Sequence, residues 1–276
     1  TTTLSGLTLT GAETNILGST GNDTIVRAGA GNDTIDAGAG NDVLTIGAGT
    51  NVLLYDTGDA TTTEAILDLS SGSGTNTISI VTTENFDGDI IPNGGSVNDV
   101  LTGLNKISIA TGQGATFAGE QLTGLTLDID GAGGGAAEVL TVQVATGNST
   151  TNLAALTLGT GTELAATSIV GTGDNDTIVA TGGVDTIAGG VGNDTITPGA
   201  GSDVITLGNG TNIVNFNTND ATSGETISDL NSGGGTNTFN IVTTEDFDSM
   251  IAPNGAGAGT VLTGLDKISI ATGQGA

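Results

Sequence analysis

GAGNDTIDAGAGNDVLTIGAGTN, residues 29–51, is written in nines. Asp33, Asp42 and Asn51 stand nine apart, and Asp23 lies ten before Asp33. A second array runs Asp176, Asp185, Asp194, Asp203 and Asn212 at a constant nine. In each frame a glycine precedes the acid by two (Gly21, Gly31, Gly40; Gly183, Gly192, Gly201) and an aliphatic residue follows it by two (Ile25, Ile35, Leu44; Ile178, Ile187, Ile196, Ile205). A fixed short period decides the architecture before any single residue does. This one reads as a tight turn followed by a three-residue strand. Glycine supplies the turn's unusual backbone angles, and the aliphatic residue points inward to stack on its equivalent in the next rung.

A longer period encloses the short one. Asn51 to Ala115 aligns without a gap on Asn212 to Ala276, and both copies carry IVTTE, a Phe-Asp pair, a Pro-Asn-Gly turn (Pro92, Pro253) and KISIATGQGA. Upstream, ILGSTGNDTI (16–25) matches IVGTGDNDTI (169–178) at a shorter offset, so the first copy reads as lacking one nonapeptide and carrying one extra residue, Arg27. Loss of a rung is tolerated where each unit touches only its neighbours. Between the arrays a module L-S/T-G-L recurs at Leu4, Leu101, Leu122 and Leu262, followed by period-two strings such as LTGLTLDID. These predict further coils, longer and without metal. TTTEAILDLSSG (61–72) is a candidate short helix, although its copy TSGETISDLNSG holds Gly and more β-branched residues. The expectation is an all-β chain, a parallel β-solenoid in two tandem copies of a roughly 160-residue unit. The units are 1–115, with its array at 18–54, and 116–276, with its array at 171–215.

Composition narrows the function. Of 276 residues 30 are acidic and 3 basic, a formal charge of −27. Nucleic acid is excluded as a partner, because neutralising phosphates takes clusters of Lys and Arg. Divalent cations are the natural counter-charge. Cysteine and histidine are absent, which removes disulfides, thiolate and imidazole zinc sites, and the Cys-His and Ser-His-Asp nucleophilic machinery. There is no G-x-S-x-G or H-E-x-x-H, and the expectation is that this is not an enzyme. No apolar run approaches the ~18 residues of a membrane helix, so membrane insertion is not expected. The N-terminus has no signal-peptide pattern, and the stretch reads as a mature or excised part of a longer protein.

GAGNDTIDA (29–37), AGAGNDVLT (37–45) and GGVGNDTIT (189–197) resemble the hemolysin-type calcium-binding repeat, the RTX nonapeptide G-G-x-G-x-D-x-U-x. The resemblance covers roughly 18–54 and 171–215 and implies a right-handed parallel β-roll. Two nonapeptides make one coil, and Ca²⁺ lies between stacked turns. Repeats n and n+2 then face each other, pairing Asp23 with Asp42, Asp176 with Asp194, and Asp185 with Asp203. The implied metal-site residues are Gly21, Asp23, Gly29, Gly31, Asp33, Gly38, Gly40 and Asp42 in the first array. In the second they are Asp176, Gly183, Asp185, Gly190, Gly192, Asp194, Gly199, Gly201 and Asp203. Ca²⁺ takes six to eight hard oxygens, and a glycine turn offers carbonyls beside a carboxylate. Asn51, Asn212, Ser19 and Asp174 depart from the pattern, so the end rungs are expected to bind weakly or to cap the array.

Aspartate is also a common turn residue in its own right, but the in-register acids read better as ligands. Glu84, Asp87 and Asp89, with Glu245, Asp246 and Asp248, read instead as solvated loops, with an extra ion as the alternative. Lys106 and Lys267 read as surface charges, with an acid on a neighbouring rung as the alternative partner. Resemblance and duplication together imply a secreted protein, extracellular or on a bacterial cell surface. It would be a calcium-stabilised unit of an S-layer, sheath, filament or large adhesin that self-associates into a filament or lattice. The alternative is a stalk or polysaccharide-binding module beside a separate secreted domain, with cell-surface polysaccharide as partner. That reading is weakened by the lack of Trp and the single Tyr55.

Overall fold

A computed structural model describes residues 14–26, 31–56, 59, 64–67, 69, 74–132, 137–159, 164–217, 220, 224–230, 235–242, 251–253 and 265–271. The expectations placed on Leu4, Arg27, Gly29, Leu262, Glu245, Asp246 and Asp248 lie outside these residues. The chain packs as two compact units, Thr1–Leu140 with Thr157–Ala165, and Thr141–Leu156 with Ala166–Ala276.

The second unit shows how the nonapeptide makes a coil. Thr177–Val179 pairs in parallel with Thr195–Thr197, 18 residues on, and the next strand of that face is Ile213–Phe216. The intervening nonapeptides form the opposite face, where Asp185–Ala188 pairs with Val204–Thr206. Two nonapeptides therefore complete one turn of a parallel solenoid. Each strand is short because only its middle residue faces inward. Ile178 stacks on Ile196 and Val214, and Ile169 on Ile187, Ile205 and Ile227; all are essentially inaccessible to solvent. Each such side chain contributes about 1.5–3 kcal/mol by leaving water. A ladder of identical aliphatics supports itself without a globular core.

The first unit follows the same plan. Ile16, Ile35, Leu53, Ile78, Ile107 and Ile129 are in register on one face, and Ile25, Leu44 and Ile66 on the other. Steps of 19 residues, Thr14 to Asp33 and Thr24 to Val43, give way to 18 from Thr34 to Val52, which puts the extra residue between Thr24 and Asp33. The strand Thr14–Leu17 stacks on Asp33–Asp36 with Thr14 opposite Asp33, as Thr167 stands opposite Asp185 in the second unit. The in-register acids that follow are Asp23, Asp33 and Asp42 in the first array and Asp176, Asp185, Asp194 and Asp203 in the second, so the first is one nonapeptide shorter. Beyond the arrays the coils lengthen to 25 residues (Asn51 to Asn76) and 29 (Thr77 to Lys106).

In the stretch expected as a candidate helix, 61–72, the described residues include a strand rather than a helical turn. Glu64–Leu67 is a strand paired with Val43–Thr45, because Ile66 continues the Leu44 stack. A one-turn helix that the sequence did not announce lies at Gly119–Leu122. Buried Gln121 holds it, accepting the Ala118 N–H through Oε1 (2.8 Å) and donating Nε2–H to the Phe86 carbonyl (3.0 Å). Four residues carry no periodicity from which such a turn could be read.

Candidate metal centre

Each acid of the arrays sits where a glycine turn enters a strand, with its side chain turned inward. Asp23, Asp33, Asp42, Asp176, Asp185, Asp194 and Asp203 all lie at 2 % exposure or less. The expected pairs are brought together. The backbone N–H of Asp23 donates to Asp42 Oδ1 at 2.7 Å, that of Asp176 to Asp194 Oδ1 at 2.9 Å, and that of Asp185 to Asp203 Oδ1 at 2.9 Å. Asp33 lies on the other face, between Thr14 and Asn51.

This leaves an excess of buried acceptors. Asp23 Oδ1, Asp42 Oδ2, Asp176 Oδ1, Asp194 Oδ2 and Asp203 Oδ2 are buried without a hydrogen-bond partner. A buried carboxylate oxygen with no donor is costly unless a proton or a cation meets it. Burial pushes Asp194 up to about 6 and both Asp185 and Asp203 up to about 7, with the charge of the stacked Asp176 adding to Asp194 and that of Asp203 to Asp185. Asp42 is raised chiefly by burial too, against the Asp23 N–H that holds it down. The acid columns are thus short of positive charge.

The glycines bring backbone oxygens to the same place. Gly199 has φ +84°, and a Cβ there would fall on the Thr181 carbonyl oxygen; one at Gly201 would fall on that of Gly183. Gly38, Gly190 and Gly192 stand likewise against the carbonyls of Ser19, Thr172 and Asp174. Glycine therefore lets successive turns approach until carbonyls and carboxylates share one narrow space. No group of three or more acids among the described residues is arranged to hold a metal by itself. Each n, n+2 pair offers two carboxylates, and the rest of a calcium shell falls to carbonyls. An all-oxygen set with unpartnered carboxylate oxygens fits Ca²⁺.

Two features escaped the reading of the sequence. Ser19, Thr172 and Thr181, four residues before their acids, replace the glycine found there in the inner rungs. Their backbone N–H and hydroxyl groups both donate to Asp23, Asp176 and Asp185 at 2.6–3.0 Å. These donors meet both oxygens of Asp185 but only Oδ2 of Asp23 and Asp176, whose Oδ1 atoms stay buried without a partner. Next, the asparagine just before the acid links turn to turn. Asn22 Oδ1 accepts the Asn41 N–H, Asn175 that of Asn193, and Asn193 that of Thr211, at 2.7–3.1 Å. The repeated N-D dipeptide was the available signal.

Two surface readings are corrected. Glu84 is buried rather than solvated and accepts from the Thr82 hydroxyl at 3.1 Å, whereas Asp87 is exposed. Lys106 pairs with the neighbouring rung, its Nζ 2.7 Å from Asp130 Oδ2, because the LTLDID strand stacks in register beneath it. Lys267 is exposed.

The family model of the RTX calcium-binding nonapeptide repeat (4 copies) matches residues 17–53, 170–205 and 199–218, the two stretches in which stacked acids and glycine turns coincide. Comparison with curated proteins and with solved structures gave no match. The repeat is a structural calcium-binding element rather than a catalytic domain, and it occurs in secreted bacterial proteins. No helix among the described residues is long and apolar enough to cross a membrane. Over these stretches the chain carries RTX nonapeptide repeats, a repeat that binds calcium.

Proposed function

We propose that this chain is a calcium-stabilised structural unit of an extracellular assembly, an S-layer, sheath, filament or large surface adhesin. In this reading the acids and glycine turns of the two arrays hold Ca²⁺ between rungs n and n+2, and the units 1–115 and 116–276 are tandem modules. The observation that carries it is the set of buried, unpartnered carboxylate oxygens on Asp23, Asp42, Asp176, Asp194 and Asp203. A solenoid with charge of one sign inside its turns is rigid only when cations fill them. Rigidity controlled by external calcium suits a load-bearing element outside the cell. Tandem duplication adds support, since mechanical modules are lengthened by repeating a unit whose neighbours are its only contacts.

The stalk or polysaccharide-binding reading gains nothing from the aromatic residues among those described. Tyr55, Phe86, Phe117, Phe216 and Phe239 are all buried, and they contact one another rather than offering a sugar platform.

The test follows circular dichroism and light scattering while Ca²⁺ is titrated into EDTA-treated protein, with Mg²⁺ as control. A calcium-specific gain of β signal with growth into ordered particles is expected. A β gain without growth would leave an isolated stalk module, and no response to calcium would overturn the proposal.

A further inference from the structure

The strand KISI occurs twice, at Lys106–Ile109 and Lys267–Ile270, and two of the chain's three basic residues open it. On one side the two copies are held alike. Lys106–Ile109 pairs in parallel with Thr77–Ile80, and Lys267–Ile270 with Thr238–Ile241, residue for residue. On the other side they differ. In the first unit Leu127–Gly131 follows in register, with Asp128 opposite Lys106, Ile129 opposite Ile107 and Asp130 opposite Ser108. In the second unit Lys267–Ile270 is the last strand of its sheet among the described residues.

Identical side chains therefore have opposite surroundings. Ile107 and Ile109 are fully buried, whereas Ile268 is 53 % exposed and Ile270 49 %. The carbonyls of Asn105 and Ile109 accept the N–H groups of Asp128 and Ala132 at 3.0 and 2.9 Å. Those of Asp266 and Ile270 take no hydrogen bond from a described residue. Lys106 Nζ lies 2.7 Å from Asp130 Oδ2 and 3.9 Å from Asp128 Oδ2, while Lys267 is exposed and has no such partner among the described residues. An edge strand with open carbonyls and bare aliphatic side chains is a template for one more strand. What this template selects is read from the first unit. An aliphatic residue meets the first isoleucine, and carboxylates on either side of it meet the lysine.

We propose that Lys267–Ile270 is a docking edge that takes, in parallel, an extended strand of acid–aliphatic–acid pattern, the chemistry of Asp128-Ile129-Asp130, supplied by the next unit of the assembly. The added strand lays its aliphatic residue on Ile268 and its carboxylates on the Lys267 ammonium, and its N–H groups bond the open carbonyls. Burial of the two isoleucines supplies the attraction, and the lysine supplies the choice of partner. The inference rests on the assembly reading for the source of the strand and on the first unit for its chemistry. It also gives the assembly a direction, because parallel pairing at this edge adds units one way only.

The probe is a synthetic peptide of residues 116–132, TFAGEQLTGLTLDIDGA, added up to millimolar concentration to the whole chain in calcium, with the isoleucine methyl groups labelled for NMR. The Ile268 and Ile270 resonances are expected to shift while those of buried Ile107 and Ile109 stay in place. Ile268 is exposed, so Ile268→Asp keeps the fold, as circular dichroism would show, and should weaken binding by about tenfold or more. Lys267→Glu should bind the natural peptide less well and prefer one carrying Asp128→Lys and Asp130→Lys. Unmoved Ile268 and Ile270 resonances at millimolar peptide, or a Lys267→Glu chain without that preference, would overturn the inference. Peptide binding by a chain that calcium does not drive into particles would overturn the assembly reading and leave the docking edge standing.

Discussion

At the scale of the residue, the inner aspartates are held in a state that water would not give them. An acid whose pKa is higher in the folded than in the unfolded chain takes up protons on folding. The calcium-free fold therefore loses stability as pH rises from about 4, the ordinary carboxylate value, through the 6 to 7 of Asp194, Asp185 and Asp203. The EDTA-treated protein should melt at a higher temperature at pH 5 than at pH 8, and melting curves at the two values check it. Calcium reverses the order, because it competes with those protons, and its affinity should fall below pH 6. Asp194→Asn separates the two effects. It removes a desolvated charge, so the calcium-free chain should melt no lower than wild type, while calcium affinity drops by about tenfold or more, ~1.4 kcal/mol, by calorimetric titration. The acids were legible from their spacing of nine. The Ser and Thr locks at Ser19, Thr172 and Thr181 were not, because there they look like losses of glycine rather than gains of a donor.

At the scale of the element, what matters is how closely one turn approaches the next. Gly88 and Gly199 both have positive φ, +90° and +84°, but a Cβ at Gly88 meets nothing within 4 Å, whereas at Gly199 it meets the Thr181 carbonyl. Alanine at Gly88 should cost only the backbone term, roughly 1–2 kcal/mol. Alanine at Gly199 should cost more and should also lower calcium affinity, since the shifted carbonyl borders the candidate site; chemical denaturation with and without calcium distinguishes the two. Ile196→Ala, in the middle of its stack, should cost about 2–5 kcal/mol whatever the calcium level. The strands themselves were legible because Ile178, Ile187, Ile196 and Ile205 keep strict time. Glu64–Leu67 was not, because TTTEAIL lacks the glycine frame and shows its strand only through pairing with Val43–Thr45. Gly119–Leu122 escaped for a related reason: Gln121 makes that turn through bonds to residues 3 and 35 positions away, and one of those is invisible in local sequence.

At the scale of the whole molecule, a charge of −27 invites the objection that any salt would stabilise the chain by screening. The two mechanisms differ in where the charge lies. Exposed acids such as Asp87 feel an ionic atmosphere whose range is about 8 Å at physiological strength, so sodium chloride should raise the melting temperature of the calcium-free protein gradually and then level off. Asp42, Asp194 and Asp203 are buried at 1 % exposure or less, beyond the reach of that atmosphere, and each retains an oxygen that no mobile ion meets. Only an ion that enters the turn relieves them. Stabilisation by calcium should therefore grow with the logarithm of its concentration without levelling off, by about 2.7 kcal/mol per site at a hundred times the dissociation constant. Sites filled together would sum to a large shift, because each rung supports the next. Melting curves in sodium chloride and in calcium chloride, matched in ionic strength, read the difference directly. Equal shifts would mean that the acids are only a charged surface, whereas a calcium shift that persists in excess sodium means that the ions are part of the fold.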